Sequence, residues 1–141
     1  MRRGFTLSEM AITLAVTGIV SAIAIPAVGA LRDRVATDGA ARAIVAAHGR
    51  ARMLAITTNE QVLLLIRSDS LLIQPRRGGG PLWAGEGPAA NGVTLSGPTF
   101  PLHLSPMGVS VGVSNATYTV QRGAVVRRVI ISRWGRIRQS P

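Results

Sequence analysis

Gly4-Phe5-Thr6-Leu7-Ser8-Glu9 stands between a basic start, Met1-Arg2-Arg3, and an uncharged stretch over residues 10–31. About 20 apolar residues cross the roughly 30 Å hydrocarbon core of a bilayer, so this stretch is long enough to span one. Arg2 and Arg3 hold its start on the cytoplasmic side and send the rest of the chain outward. A secretory signal peptide is the rival reading. Its apolar run is about 7–15 residues and closes on a small-x-small site, and Val28-Gly29-Ala30 fits such a site. The Phe5-Thr6-Leu7-Ser8-Glu9 insertion between the basic and apolar parts does not suit it. Glu9 needs its own account. Thr6-x-x-Glu9 has the spacing of a capping box, in which the carboxylate reaches back to the Thr6 N–H. That spacing leaves open why an acid stands at the mouth of a membrane helix, where an unpaired charge costs on the order of a few kcal/mol.

The 141 residues fit one modest domain plus this span. Cysteine is absent, which excludes disulfides, thiolate metal sites and a cysteine nucleophile. All 16 basic residues are arginine, against six acids, for a formal charge of +10. Glu86 is the last acid. Arg122, Arg127, Arg128, Arg133, Arg136 and Arg138 follow it and read as an unbalanced basic field, either a solvated face or an attractor of polyanions. Catalysis has little support. His48 and His103 are isolated, and Asp33, Asp38, Glu60, Asp69 and Glu86 show neither paired spacing nor a metal-ligand cluster. Arg76-Arg77-Gly78-Gly79-Gly80 lacks the Gly-Lys-Ser/Thr ending and the following helix of a phosphate loop. The expectation is no enzyme, no metal and no cofactor.

Past Arg32 the helical pattern continues but changes character. Ala36, Ala40, Ala43, Ala47, Ala51 and Leu54 recur every three or four residues, widened by Ile44 and Val45, and predict a small-residue side laid on a sheet. The helix should stop near Thr57-Thr58-Asn59. Beyond it, 61–67 and 70–74 read as a hairpin turning at Ser68-Asp69, and 75–92 as a Gly- and Pro-rich loop. Further strands are expected at 93–95, 100–104, 116–122, 125–132 and 136–139. The fold class is α+β: a long N-terminal helix, transmembrane then amphipathic, packed on a small antiparallel β head. The expected divisions are a leader over 1–4, the helix over 5–58 and the head over 59–141.

Gly4 followed by Phe5, Thr6, Leu7 and Glu9 resembles the signature of type IV pilins and type II secretion pseudopilins. The resemblance implies that a prepilin peptidase cuts between Gly4 and Phe5 and methylates the new terminus. It further implies that Glu9 pairs with a neighbouring subunit's terminal amine during filament assembly, and that Pro26 loosens the helix. Physically, Pro26 lacks an N–H and leaves the Ala22 carbonyl without its usual partner. Two more stretches, residues 51–59 and Leu104-Ser105-Pro106-Met107-Gly108 with the later 129–138, are similar to the GspH/FimT family of H-type pseudopilins and minor pilins. Leu104 stands where that family commonly carries an aromatic residue. The implied partners are other pilin or pseudopilin subunits, the prepilin peptidase and the inner membrane, with the head in the periplasm.

DNA is the second candidate partner. In a strand, Arg136 and Arg138 project from one face roughly 6.5–7 Å apart, with Ile137 toward the core, and Gly135 permits a tight turn before them. Two such guanidinium groups, with Arg133 nearby, suit phosphates, and Trp134 suits a base face. In FimT-type pilins a matching Gly-Arg-x-Arg segment is associated with DNA binding, so the resemblance implies that role for Gly135, Arg136 and Arg138.

Overall fold

The structure, a computed structural model, describes residues 5–112 and 115–141. Gly4 and the basic leader lie outside the described residues. The described chain opens with one helix, α1, Leu7–Thr58, and continues with nine strands. Two compact units divide it after Arg32.

In the first unit every described residue is exposed, including Met10, Ile12, Leu14, Val16, Ile19 and Ile23. A helix that is apolar all round must bury itself in something, and nothing in this unit covers it. Its threonines bond within the helix: Thr13 Oγ1 donates to the Glu9 carbonyl at 2.9 Å and Thr17 Oγ1 to the Thr13 carbonyl at 2.7 Å. Their hydroxyls are therefore satisfied within the helix. α1 is unbroken at Pro26.

In the second unit, α1 from Asp33 onward turns one face inward. Thr37, Ala40, Ala41, Ile44, Ala47, His48, Ala51 and Ala55 are buried, with Ala36, Val45 and Leu54 packed at the margin. Ala43, expected on that face, is exposed. The true stripe runs through Ala40, Ile44, Ala47, Ala51 and Ala55, and the 3.6-residue period carries Ala43 off it. Asn59, with φ 52°, ends the helix in the left-handed region that asparagine tolerates.

Two antiparallel sheets receive this face. One has the order β3-β2-β1-β5-β6, the other β4-β7-β8-β9. The first contains β1 (Val62–Ile66), β2 (Ser70–Pro75), β3 (Trp83–Glu86), β5 (Leu102–Leu104) and β6 (Ser110–Val111). The second contains β4 (Thr94–Ser96), β7 (Ala116–Arg122), β8 (Val125–Ile131) and β9 (Ile137–Ser140). Alternation decides the inner face: Val62, Leu64 and Ile66 of β1 are buried, as are Ala116, Tyr118 and Val120 of β7. The sheets supply the large side chains and the helix the small ones, so the helix backbone can approach closely.

The expected hairpin over 61–74 is present, with Leu64 opposite Ile73. The expected loop over 75–92 is corrected. It contains β3, whose Trp83 pairs with Ile73, and a 3-10 turn at Pro88–Asn91. Its glycines serve close approach. A Cβ on Gly85 would collide with the Trp83 ring, and one on Gly87 with the backbone of Ser68 and Ser70. Arg50 of α1 covers the outer side of Trp83, 4.9 Å from the ring centroid. The two-residue β6 was not foreseen, and the strand expected at 93–95 lies at Thr94–Ser96.

Candidate functional site

At the start of α1 the Thr6 N–H and hydroxyl both donate to Glu9 Oε2 at 2.8 Å, and the Glu9 N–H donates to Thr6 Oγ1 at 3.3 Å. This is the expected capping box, closed in both directions. It satisfies donors that a helix start leaves open and fixes the carboxylate in the first turn, where the helix dipole favours it. Phe5 lies exposed beside it. Gly4, the other half of the expected scissile bond, is outside the described residues.

In the second unit the six carboxy-terminal arginines divide. Arg122 Nε donates to Asp33 Oδ1 at 2.9 Å and Arg127 Nε to Asp38 Oδ1 at 2.8 Å. Arg122 also bonds the Asn91 carbonyl. The field read as wholly unbalanced is thus corrected: two of its members tie β7 and β8 to α1. Their partners lie 89 residues back in the chain, where a local count of charge does not look. Arg128, Arg133, Arg136 and Arg138 form no ion pair among the described residues.

Arg136 is not in a strand. β9 begins at Ile137, and Arg136 closes a turn: the Ser132 N–H donates to its carbonyl at 2.9 Å, and its own N–H donates to Ser132 Oγ at 3.2 Å. Gly135, with φ 72°, takes the left-handed position the turn requires, as expected. Asn115 Oδ1 accepts from the Arg133 N–H at 3.0 Å and steadies the turn from outside. Arg136 and Arg138 still reach one place, a shallow hollow of about 230 Å³ that they line with Ile130 and Ser132. Ile137 is half-buried and packs on the core, while Trp134 is exposed.

The two histidines sit in different elements. His48 is buried in the helix face, where burial and then the charge of Arg52 hold its pKa below the ordinary 6.5. His103 is half-buried in β5. No group of three or more potential metal ligands occurs among the described residues. A concavity of about 780 Å³ lies at the end of α1 between Thr58, Gln61, Arg76, Arg77 and Pro106. Its arginines are already held, Arg76 by Gln61 and Arg77 by Glu60 at 3.7 Å.

A wholly exposed apolar helix start, a capping-box acid and a helix face of small residues on antiparallel sheets define a pilin-type fold. Residues 1–25 match the prokaryotic N-terminal methylation motif. The chain is 30% identical to the pilin-like protein PilA1 of Thermus thermophilus, over an alignment covering 97% of each. Crystal structures of the Pseudomonas aeruginosa type IV minor pilin FimU superpose with TM-scores of 0.64 and 0.60. Those matches cover 77% and 74% of this chain and 90% and 92% of FimU, at 22% and 20% identity. The chain belongs to the pilin-like proteins and shares the fold of FimU.

Proposed function

We propose that this subunit is made as a prepilin, cut between Gly4 and Phe5 by a prepilin peptidase, methylated at Phe5, and built into a type II secretion pseudopilus or a related type IV pilus. Before assembly the apolar start of α1 rests in the inner membrane with the head in the periplasm. The observation that carries this reading is the apolar helix start that nothing in its own unit covers. Lipid stores it, and packing against neighbouring subunits replaces lipid in the filament.

Glu9 then has two successive partners. Within the chain Thr6 holds it, as observed. In the filament a neighbour's Phe5 amine, exposed by cleavage, neutralises it, since a carboxylate among apolar helices needs a counter-charge. The test is Glu9→Gln. It should leave membrane insertion intact while removing the subunit from sheared filaments. Normal incorporation of Glu9→Gln would refute the role of the charge.

A second reading rests on the hollow lined by Arg136 and Arg138, arginines without a carboxylate partner among the described residues. They suit adjacent phosphates of DNA, with Gly135 setting the turn before them, in a subunit that acts in DNA uptake. Binding of duplex DNA should then weaken steeply with salt, and Arg136→Ala with Arg138→Ala should flatten that slope by about two phosphate contacts. An unchanged slope would remove the DNA reading.

A further inference from the structure

Two hairpins, one from each sheet, are closed by the same turn. Between β5 and β6, the Ser105 N–H donates to the Val109 carbonyl at 2.9 Å and the Gly108 N–H to the Ser105 carbonyl at 2.8 Å. Between β8 and β9, Ser132 donates to Arg136 and Gly135 to Ser132, each at 2.9 Å. Gly108 and Gly135 share the left-handed conformation, with φ 73° and 72°. The residue before each glycine sits at the outer corner of its turn: Met107 is 85% exposed and Trp134 is 79% exposed.

The two turns lie side by side. A methyl group on Gly135 would stand 3.7 Å from the Gly108 carbonyl oxygen and 3.9 Å from an Arg52 guanidinium nitrogen. One on Gly108 would meet Arg52 Nε at 2.8 Å and the half-exposed Ile56 Cδ1 at 2.9 Å. The fold thus sets the two glycines beside Arg52 and Ile56, and with them the neighbouring Met107 on one turn and Arg133 and Trp134 on the other.

We propose that these paired turns are a docking surface for the head of a different pilin-like subunit, one that presents an apolar pocket rimmed by carboxylates. The inference rests on the assembly reading above. Tryptophan, methionine and arginine are the residues enriched at the centres of protein interfaces. Charge selects the partner, because neither Arg52 nor Arg133 forms an ion pair among the described residues. A second copy of this chain is a poor match. It carries a charge of +10, and Asp33, Asp38 and Glu60 are engaged by its own arginines, which leaves two head carboxylates, Asp69 and Glu86, against sixteen arginines. Nucleic acid also fits less well, since stacking platforms lay successive bases on aromatic rings and only one of the three apolar groups is aromatic.

The test uses the full chain in its own cell, with a photo-crosslinking residue in place of Trp134, of Met107 or, in the apolar helix start, of Val16. Positions 107 and 134 should yield an adduct with another subunit bearing the prepilin motif, through a segment rich in Asp and Glu. Arg133→Glu should cut that adduct about tenfold, the effect of losing one strong interface contact. Reversing the partner's carboxylates to arginine should restore it. An adduct only with a second copy, or one that nuclease removes, would overturn the proposal. So would silence at 107 and 134 while Val16 still crosslinks to other subunits. Silence at Val16 as well would overturn the assembly reading and this inference with it.

Discussion

The two stretches of α1 differ in a way that composition alone would mislead. Up to Leu31 it carries isoleucine, valine, leucine and methionine on every side, and none of them is buried. From Asp33 it carries mostly alanine on one face, and that face is the centre of the core. The larger apolar side chains bury nothing within the chain, and the smallest bury nearly everything. Within a domain, what counts is fit: alanine lets the helix backbone approach sheets that already supply Leu64, Ile73, Tyr118 and Ile131. In the proposed assembly the large side chains are kept for a partner outside the chain.

The sharpest way to break this contrast is the same substitution on both sides of Arg32. Ile44→Ala should destabilise the detergent-solubilised chain by about 2–5 kcal/mol in denaturant unfolding, because Ile44 is fully buried. Ile19→Ala, on an exposed residue, should cost less than about 0.5 kcal/mol in the same assay. Equal costs would abolish the distinction. A smaller effect tests the fit from the other direction. Ala51→Leu should cost about 1–3 kcal/mol by overpacking, whereas Ala22→Leu should cost nothing measurable.

Smaller again is the Asp38–Arg127 pair that ties the head part of α1 to β8. Its side chains keep 32% and 25% of their exposure, so solvent screens it. A double-mutant cycle with Asp38→Asn and Arg127→Gln should give a coupling of about 1 kcal/mol or less, falling with salt. The last expected effect is on the pH dependence of stability. The unfolded chain takes up a proton on His48 near 6.5, but the folded chain resists it because burial lowers that pKa. Stability is therefore whole above that value and declines as pH falls from about 6.5 toward the folded pKa. His48→Gln should remove this acid-side slope. At the other end, burial pushes the Tyr118 phenol up to about 12 from 10.0. The unfolded chain loses that proton first, so stability should decline as pH rises across that interval, and Tyr118→Phe should flatten it.

Much of this was legible in the chain, because its signals are local. The acid-led apolar run, the Thr6–Glu9 cap and the Ser68-Asp69 hairpin each lie within a few residues, where spacing alone specifies geometry. Strand β7 was read at its observed bounds from alternation and flanking turn residues. What escaped was long-range or steric. Arg122 and Arg127 looked free because their carboxylates lie on α1, 89 residues away. Strand β3 looked like loop because Gly85 and Gly87, ordinarily flexible, are there to let Trp83 and the β1–β2 turn come close. Arg136 fell in a turn because Gly135 takes the left-handed position and Ser132 closes on Arg136, so β9 starts one residue later. The repeated Ser-x-x-Gly of Ser105–Gly108 and Ser132–Gly135 was visible as letters, but only the fold sets the two turns side by side.

The intact mass of the protein extracted from membranes tests the whole account most directly. A mature chain that starts at an N-methylated Phe5, with the apolar half of α1 still attached, is the predicted result. A soluble chain that has lost everything through Ala30 would contradict it.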